Sequence, residues 1–475
     1  MNAPITRLYV VIVALFAILI AFTSNWTVFG ADALRDNPKN ARQLLEQARI
    51  RRGAIRADDA ALLARSLRRA DGSFSRTYPQ DRLFAHAVGY SYTRFGQAGL
   101  ERSRNDVLSG STNELGTIFD RLSGGEPEGD DVRTTLDPAA QRVAIQGLAG
   151  RKGAVVALDP QTGAIKVMAS SPDYDPNDIP KPGTFRRLNR DQDAPLLNRA
   201  TQAGYPPGST FKVVTAIAAM DSGRYTPQST VSGRNLKPIS GVPLRNFGNE
   251  DFGQITLTDA LTHSVNTAWA TIGEKLGKAT MSKYMTRLGF DRPVRVDLPA
   301  DERRASGEFR DGKLLSPTSD AVDVGRMAIG QDKLNVTPLR MAMVAGAVAN
   351  GGRLMAPHLT DRIVDRDGRT VDRIQPTEMS RVMSSQAAGE VADMMSKVVE
   401  EGTGTAAALE GISVAGKTGT AEVDRPCGPN QAWFIAFAPR EDPKVAVAAT
   451  VECTAGTGGV VAGPIAKQVM QELLR

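Results

Sequence analysis

Ser209 and Lys212 could carry out nucleophilic chemistry, because they place a hydroxyl and an amine one helical turn apart. They follow Tyr205-Pro-Pro-Gly208, which cannot continue a helix backwards, and the apolar run Phe211–Met220 beyond favours a helix. Residues three apart share a helix face, so the amine is expected within reach of the serine oxygen. Free N–H groups and the positive dipole end of a first helical turn would stabilise an oxyanion. The pair therefore predicts a serine acyltransferase with a lysine base.

Two further motifs follow this pair, Ser264-Val-Asn266 and Lys417-Thr-Gly-Thr420. The Ser-x-Asn pattern is weak alone, because Ser103–Asn105 and Ser111–Asn113 match it as well. The Lys-Thr-Gly-Thr pattern is more specific, since it follows one strand-like run and precedes another. The three motifs in this order form a strong combined signal.

The elements that must position these motifs are predicted from apolar periodicity and turn residues. The pattern indicates an α+β unit, in which helices pack on a five-stranded antiparallel sheet. Helices are expected at Asp137–Leu148, Phe211–Met220, Thr256–Leu276, Pro338–Ala349, Ala387–Glu401 and Ala462–Leu474. Strands are expected at Ala154–Leu158, Ala164–Ala169, Ser413–Gly416, Ala432–Ala438 and Lys444–Val451. Before this unit, Asn40 to Arg69 reads as charged helical pieces interrupted at Gly53.

The N-terminal segment is apolar enough to cross a membrane. From Leu8 to Ala31 it holds no charged residue, and Trp26 stands where an interfacial anchor would. Arg7 and the terminal amine favour an inside N-terminus, although basic residues also follow the segment. A signal peptide cleaved near Gly30–Ala33 is the alternative. Either reading predicts that most of the chain is exported.

Cys427 and Cys453 are the only cysteines, and they would face each other near the open end of a hairpin. Export makes a disulfide between them plausible, and two unpaired thiols remain the alternative. The three histidines, His86, His263 and His358, are not at ligand spacing to the cysteines, so no metal site is expected. His263 is expected to turn away from the site on its helix. Trp269 and Trp433 are interpreted as core packing.

Bulk composition suits two folded parts rather than one. The chain has 475 residues, and 58 basic against 52 acidic residues give a net charge of +6. This mild excess suits work near an anionic membrane or polymer. No cluster of basic residues is interleaved with aromatics, so no nucleic-acid partner is predicted.

On these motifs the chain resembles the class B penicillin-binding proteins, the D,D-transpeptidases of peptidoglycan synthesis. Family-like segments continue beyond the motifs at Tyr78-Pro79, Phe84–Tyr90, Ala328–Gln331, Thr337–Leu339, Ala349–Gly352 and Gly402–Gly404. The resemblance implies a cytoplasmic tail at 1–7, a transmembrane anchor at 8–29, an N-terminal pedestal domain at 30–150 and a transpeptidase domain at 151–475. It also implies helices on both faces of the five-stranded sheet.

The site roles follow from chemistry together with this resemblance. Ser209 would attack the carbonyl between two D-alanines, with Lys212 as its base and Lys417 as the cation that keeps Lys212 neutral. Ser264 would relay a proton to the leaving amine, and Asn266 would hold Lys212 and the peptide amide. The remaining substrate contacts are assigned to the Lys417 ammonium and the threonine hydroxyls for the terminal carboxylate, and to Gly419 for close approach of the substrate: Thr418, Gly419, Thr420. No cofactor is needed.

The implied substrate is a stem peptide ending in D-Ala-D-Ala, and the implied inhibitors are β-lactams. The membrane is expected as an anchor surface and cell-division proteins as further partners. A D,D-carboxypeptidase, in which water resolves the acyl-enzyme, is the closest alternative. A β-lactamase is less favoured, because no suitable Glu-x-x-x-Asn pattern lies between Asn266 and Lys417. A penicillin-binding scaffold or sensor without turnover is the non-enzymatic alternative.

Overall fold

The N-terminal helix stands apart from the rest of the chain. The computed structural model describes residues 3–25, 49–110, 128–423 and 428–475. The helix covers Ala3–Ser24, and its Pro4–Ser24 part has a mean hydropathy of 2.6 with none of it buried. At 1.5 Å per residue such a helix is about 30 Å long, the thickness of a bilayer core. Residues 26–29 of the predicted anchor, Trp26 among them, lie outside the described residues.

A five-stranded antiparallel sheet forms the centre of the C-terminal part, as the sequence predicted. Its hydrogen-bonded order is Ala415–Glu422, Asn430–Ala438, Val445–Thr454, Gly153–Leu158 and Ile165–Ser171. The first strand differs from its predicted range of 413–416, because it continues through the whole Lys-Thr-Gly-Thr motif. This strand lies at the sheet edge, so one side of the motif is open to a ligand.

The sheet carries an apolar core on each face, because successive side chains of a strand alternate in direction. Val156 and Ile435 join the larger core. Val155 and Ala436 join the second core. Against the larger core pack helices Lys212–Asp221, Pro338–Ala349 and Ser385–Glu400. Helices Pro138–Leu148 and Gly463–Leu473 cover the other face. The expectation of helices on both faces is confirmed.

The remaining elements of the C-terminal part lie around the central sheet and its helices. Two helices, Leu257–Thr262 and Asn266–Arg287, follow helix Lys212–Asp221 along the chain, and the second is interrupted at Gly277. Shorter helices and strands complete this part: Thr184–Arg190, Thr230–Ser232, Lys237–Ile239, Val242–Leu244, Gln254–Thr256, Gly307–Arg310, Lys313–Leu315, Val324–Met327, Leu334–Asn335, Arg353–Met355, Glu378–Arg381 and Gly458–Val461.

The N-terminal unit is built on a six-stranded sheet. Its order is Thr370–Arg373, Thr360–Val364, Asp131–Thr134, Ile55–Arg56, Leu62–Arg68 and Phe74–Thr77. Short helices Ala85–Val88, Gly99–Ser103 and Asn105–Leu108 and the two-residue strands Ser91–Tyr92 and Gly96–Gln97 accompany it. The first two strands of this order come from far along the chain, so a hairpin of the C-terminal part completes the N-terminal sheet.

The helical prediction for Asn40 to Arg69 is wrong where the structure describes the segment. Ile55–Arg56 and Leu62–Arg68 are strands, and the longer one pairs with Ile55–Arg56 on one side and with Phe74–Thr77 on the other. The residues of this run, Leu, Ala, Arg and Ser, favour a helix or are neutral, but strand partners on both sides override that weak preference. Residues 40–48 lie outside the described residues.

Candidate active site

Ser209 lies in a single 3₁₀ turn, Gly208–Phe211, that leads into helix Lys212–Asp221. The helix begins one residue later than predicted, and the turn places the serine just ahead of it. Gly208 has φ +51°, and its N–H donates to Gly330 O at 3.0 Å. Thr210 Oγ1 donates to Pro207 O at 2.8 Å. These bonds hold the turn so that half-buried Ser209 lines a cleft.

The turn is also held from the central sheet. Trp433, fully buried, donates from Nε1 to Pro206 O at 2.9 Å. Tyr205 Oη donates to Glu452 Oε1 at 2.6 Å, and Arg199 Nε donates to the same oxygen at 3.0 Å. Sequence reasoning missed Glu452 and Arg199, since no local pattern connects them with Ser209. Trp433 and the likewise buried Trp269 are core residues, as interpreted.

The predicted helix Thr256–Leu276 is wrong at its centre. The chain forms two helices, Leu257–Thr262 and Asn266–Arg287, and Ser264 between them has φ +57°. This left-handed residue cannot continue a helix, so the chain turns there. The break directs the Ser264 carbonyl and hydroxyl at Lys212, which a continuous helix would not do.

Lys212 is fully buried and bonded to the Ser264–Asn266 segment. Its Nζ donates to Ser264 O at 2.6 Å, Ser264 Oγ at 3.2 Å and Asn266 Oδ1 at 2.7 Å. Among the described residues, none of its hydrogen bonds goes to Ser209 Oγ. Catalytic hydrogen bonds are often formed only with substrate bound, so this arrangement keeps Lys212 a candidate base.

Burial lowers the pKa of Lys212 well below its ordinary value, and the nearby charge of Lys417 lowers it further. Burial disfavours the charged form of the amine, and the positive charge of Lys417 adds repulsion. Burial also lowers the pKa of Lys417, to about 7. The two amines are therefore the groups of this site whose protonation the protein shifts most.

Lys417 belongs to the edge strand, and its side chain is fully buried. Its Nζ donates to Thr418 O at 3.1 Å, and the Thr418 and Thr403 hydroxyls are bonded at 2.6 Å. Thr420 Oγ1 accepts from Gly458 N at 3.0 Å. The hydroxyl groups of the motif are therefore fixed in direction while the threonines line the cleft.

Position 419 requires a glycine for a structural reason as well as for the expected close approach of a substrate. A Cβ at this position would lie 2.7 Å from Pro207 O and 2.8 Å from Thr210 Cγ2. Real Cβ atoms do not come so close to a backbone oxygen. The glycine thus lets the edge strand pack directly on the turn that carries Ser209.

One cleft of about 690 Å³ brings the motifs together. Ser209, Ser264, Asn266, Thr418 and Thr420 line it, and the two lysines lie buried next to these residues. His263 also lines the cleft, stacked on Phe252 with ring centres 5.9 Å apart. The expectation that His263 turns away is wrong, because the helix ends at Thr262.

The other wall of the cleft contains residues that the motifs did not indicate. These are Pro243, Leu244, Arg245, Asn246, Phe247, Gly248, Asn249, Arg326, Ile329 and Gln331. A separate cavity of about 340 Å³ lies in the N-terminal unit, and no motif residue lines it.

Cys453 is disulfide-bonded and lies at the end of strand Val445–Thr454. Cys427 lies outside the described residues, so its pairing with Cys453 stays a prediction. In the parts of the chain that the structure describes, no cluster of three or more His, Cys, Asp or Glu side chains could hold a metal.

Known proteins share this fold and are similar to this chain in sequence. Residues 153–471 match the family described as the penicillin-binding protein transpeptidase domain, and residues 52–132 match the penicillin-binding protein A dimerisation domain. The peptidoglycan D,D-transpeptidase PbpA of Mycolicibacterium smegmatis is 36% identical over 500 residues, which cover 100% of this chain and 99% of the relative. The PbpA of Mycobacterium tuberculosis is 35% identical over 503 residues, with the same coverage.

Solved structures agree with this comparison. The ceftriaxone acyl-enzyme complex of penicillin-binding protein A from M. tuberculosis superposes with a TM-score of 0.83 at 33% identity, covering 91% of this chain and 100% of that one. The D,D-transpeptidase domain of a peptidoglycan glycosyltransferase from Eggerthella lenta gives a TM-score of 0.79 at 34% identity, covering 90% and 99%. The resemblance drawn from the motifs is confirmed, and this chain belongs to the penicillin-binding protein transpeptidase family.

Proposed function

We propose that this chain is a peptidoglycan D,D-transpeptidase that acts through an acyl-enzyme on Ser209 and is inhibited by β-lactams. The observation that carries the proposal is the buried Lys212 amine, bonded to Ser264 and Asn266, whose pKa burial and Lys417 depress. An amine whose pKa is lowered in this way is more readily neutral and can then accept a proton from a serine hydroxyl. The names of its relatives support the same activity.

In the acylation step, Ser209 Oγ forms an ester with the carbonyl carbon of the penultimate D-alanine, and the bond to the terminal D-alanine nitrogen breaks. Lys212 takes the serine proton. The contact of 3.2 Å between Lys212 Nζ and Ser264 Oγ supports a relay that returns this proton to the leaving amine. Asn266 holds Lys212 through Oδ1 at 2.7 Å and keeps the amine in this direction.

The developing oxyanion would be held by the backbone N–H groups of Ser209 and Thr420. Donors of this kind are typically worth about 10²–10³ in rate each. The close packing of Gly419 against Pro207 supports this assignment, because it brings the edge strand next to the nucleophile turn.

The terminal carboxylate would bind at Lys417, Thr418 and Thr420. A bound carboxylate favours the protonated form of Lys417, whose pKa burial holds at about 7 in the free protein. Substrate binding would therefore complete the cation that keeps Lys212 neutral. Binding and activation of the base would then be coupled.

An amino group of a second stem peptide would resolve the ester and form the cross-link. If water resolved it instead, the chain would be a D,D-carboxypeptidase; if nothing did, it would be a penicillin-binding scaffold. A thioester donor offered with and without an acceptor amine separates these three outcomes. The transpeptidase gives amide product, the carboxypeptidase gives only acid, and the scaffold gives neither.

The nucleophile is tested by penicillin treatment followed by mass spectrometry of intact and digested protein. The adduct is expected on Ser209 and is expected to be absent from Ser209→Ala. Lys212→Ala should also lose labelling while remaining folded, which a cooperative thermal unfolding transition would show. An adduct on another residue would refute the assignment of Ser209.

Single-pass anchoring by the N-terminal helix, with residues 1–7 inside the cell, belongs to the same proposal. The apolar span Pro4–Ser24 supports it, and the family matches at 52–132 and 153–471 support a pedestal within 30–150 and a transpeptidase domain within 151–475. Cell-division proteins are proposed as partners of the pedestal. Protease added outside intact spheroplasts should degrade residues beyond 30; full protection would exclude this topology.

A further inference from the structure

Residues 245–249, which we term the arch, form one wall of the active-site cleft. The arch follows strand Val242–Leu244 and contains a short turn at Phe247–Asn249. All five of its residues line the cleft. None of them belongs to the three motifs.

The arch is held rigidly from below by Asn246, whose side chain is buried. Its Nδ2 donates to Gly233 O at 2.8 Å and to Glu250 O at 3.0 Å. Its Oδ1 accepts from Thr267 N at 3.0 Å and from Thr267 Oγ1 at 3.1 Å. A buried amide with every hydrogen bond made fixes the backbone around it.

The arch is also bonded to the catalytic group. Asn266 Nδ2 donates to Arg245 O at 2.9 Å, while Asn266 Oδ1 accepts from Lys212. Asn266 is proposed to hold the peptide amide of the donor. The donor is the stem peptide that acylates Ser209. The arch therefore lies beside those residues of the donor stem peptide that precede the scissile bond.

Two side chains of this rigid wall are left open to the cleft. Phe247 is 74% exposed, the highest exposure among the large apolar side chains of the described residues. Arg245 is exposed, and its guanidinium makes no hydrogen bond or ion pair with any described residue. By contrast, the guanidinium of Arg326, which also lines the cleft, lies 3.6 Å from Asp323.

We propose that the arch recognises the donor stem peptide on the N-terminal side of the scissile bond. Phe247 contacts an aliphatic side chain of the donor, and Arg245 binds a second carboxylate, separate from the terminal one assigned to Lys417. An exposed aromatic ring on a fixed backbone and an unpaired guanidinium are groups that gain most from a ligand, since neither loses a partner on binding. This inference rests on the proposed function and names the donor chemistry of the same site.

The test uses three penicillins with one nucleus. Their side chains are an aliphatic chain ending in a free carboxylate, the methyl ester of that chain, and a minimal acetyl group. The second-order rate constant of acylation is measured for the full chain and its variants. Arg245→Gln should lower the ratio of acid to ester about tenfold, because it removes one charge-assisted hydrogen bond. Arg245→Lys should restore part of that ratio.

Phe247→Ala should lower the ratio of ester to acetyl penicillin by a similar factor and keep the ratio of acid to ester. The matched controls are Arg234→Gln and Val242→Ala, exposed residues of the same region outside the cleft lining, and they should keep both ratios.

Each result bears on the proposal. An unchanged acid-to-ester ratio in Arg245→Gln, or an equal loss in Arg234→Gln, overturns the role of Arg245. An unchanged ester-to-acetyl ratio in Phe247→Ala overturns that of Phe247. If Ser209 of the wild type is acylated while no ratio moves, only the role of the arch fails. If no penicillin acylates Ser209, the proposed function fails and the arch inference with it.

Discussion

The Tyr205 hydroxyl donates a hydrogen bond of 2.6 Å to Glu452, which joins the turn before Ser209 to the third strand of the central sheet. The same carboxylate oxygen accepts a hydrogen bond from Arg199 Nε at 3.0 Å. The side chains of Glu452 and Arg199 are only 11% and 5% exposed, respectively. The position of the nucleophile turn thus depends on a charged pair in the sheet.

Glu452→Gln should destabilise the protein by about 3 kcal/mol, because Arg199 would keep a buried charge without its counter-ion. Urea unfolding measures this loss. Glu400→Gln removes an exposed carboxylate paired with Lys397 and should change stability by less than about 0.5 kcal/mol. Tyr205→Phe keeps the ion pair between Arg199 and Glu452. This variant should therefore lower the rate of acylation while its free energy of unfolding stays close to that of the wild type. Equal stability of Glu452→Gln and the wild type would contradict the first expectation.

The rate of acylation should depend on pH through the two buried amines. Lys212 acts as a base only in its neutral form, so the rate of acylation should rise as pH increases through the lowered pKa of Lys212. Lys417 must be protonated to bind a carboxylate, so the rate should fall as pH rises through about 7. Lys417→Met removes the neighbouring charge, which raises the pKa of Lys212 and moves the rising limb to higher pH. An unmoved rising limb in this variant would exclude the coupling.

Ser264 has two separable roles, and two substitutions separate them. Both Ser264→Gly and Ser264→Ala remove the hydroxyl, and each should slow acylation about 10²-fold or more if it relays a proton. Glycine tolerates φ +57° without strain, whereas alanine does not. The glycine variant should therefore be about 1 kcal/mol more stable than the alanine variant. Thermal unfolding and penicillin labelling measure the two effects; wild-type labelling of Ser264→Gly would remove the relay.

The sequence predicted those features that depend on neighbours along the chain. Ser209 lies just before a helix because two prolines and a glycine prevent that helix from extending further back along the chain. The hairpin around Pro439–Pro443 forms because a turn-rich segment lies between two apolar strands. The helix Pro338–Ala349 was predicted with its observed bounds, since Thr337 caps it and Pro338 stands at its first position.

Other features depend on contacts between distant residues, which periodicity does not report. Tyr205 and Glu452 are 247 residues apart. The strands at 360–364 and 370–373 were missed because they complete a sheet whose other strands lie before residue 135. The break at Ser264 was missed because an apolar helical pattern continues on both of its sides, while the left-handed turn is maintained by contacts with Lys212.

Glu308 should make the stability of the protein depend on pH. Its carboxyl is buried, one oxygen accepts from Lys333 N at 3.1 Å, and the other has no hydrogen-bond partner among the described residues. Burial, helped by the nearby Asp332, raises the pKa of Glu308 from 4.5 to about 8. Between these two values the folded protein keeps a proton that the unfolded chain has lost.

Stability should therefore fall as pH rises through this window, and Glu308→Gln should remove that part of the fall. The variant should exceed the wild type by about 4 kcal/mol at a pH of about 8, and the gain should vanish below pH 4.5, where both states hold the proton. Urea unfolding at the two pH values measures the difference. A gain that is the same at both would mean that packing, rather than the charge of Glu308, sets the effect.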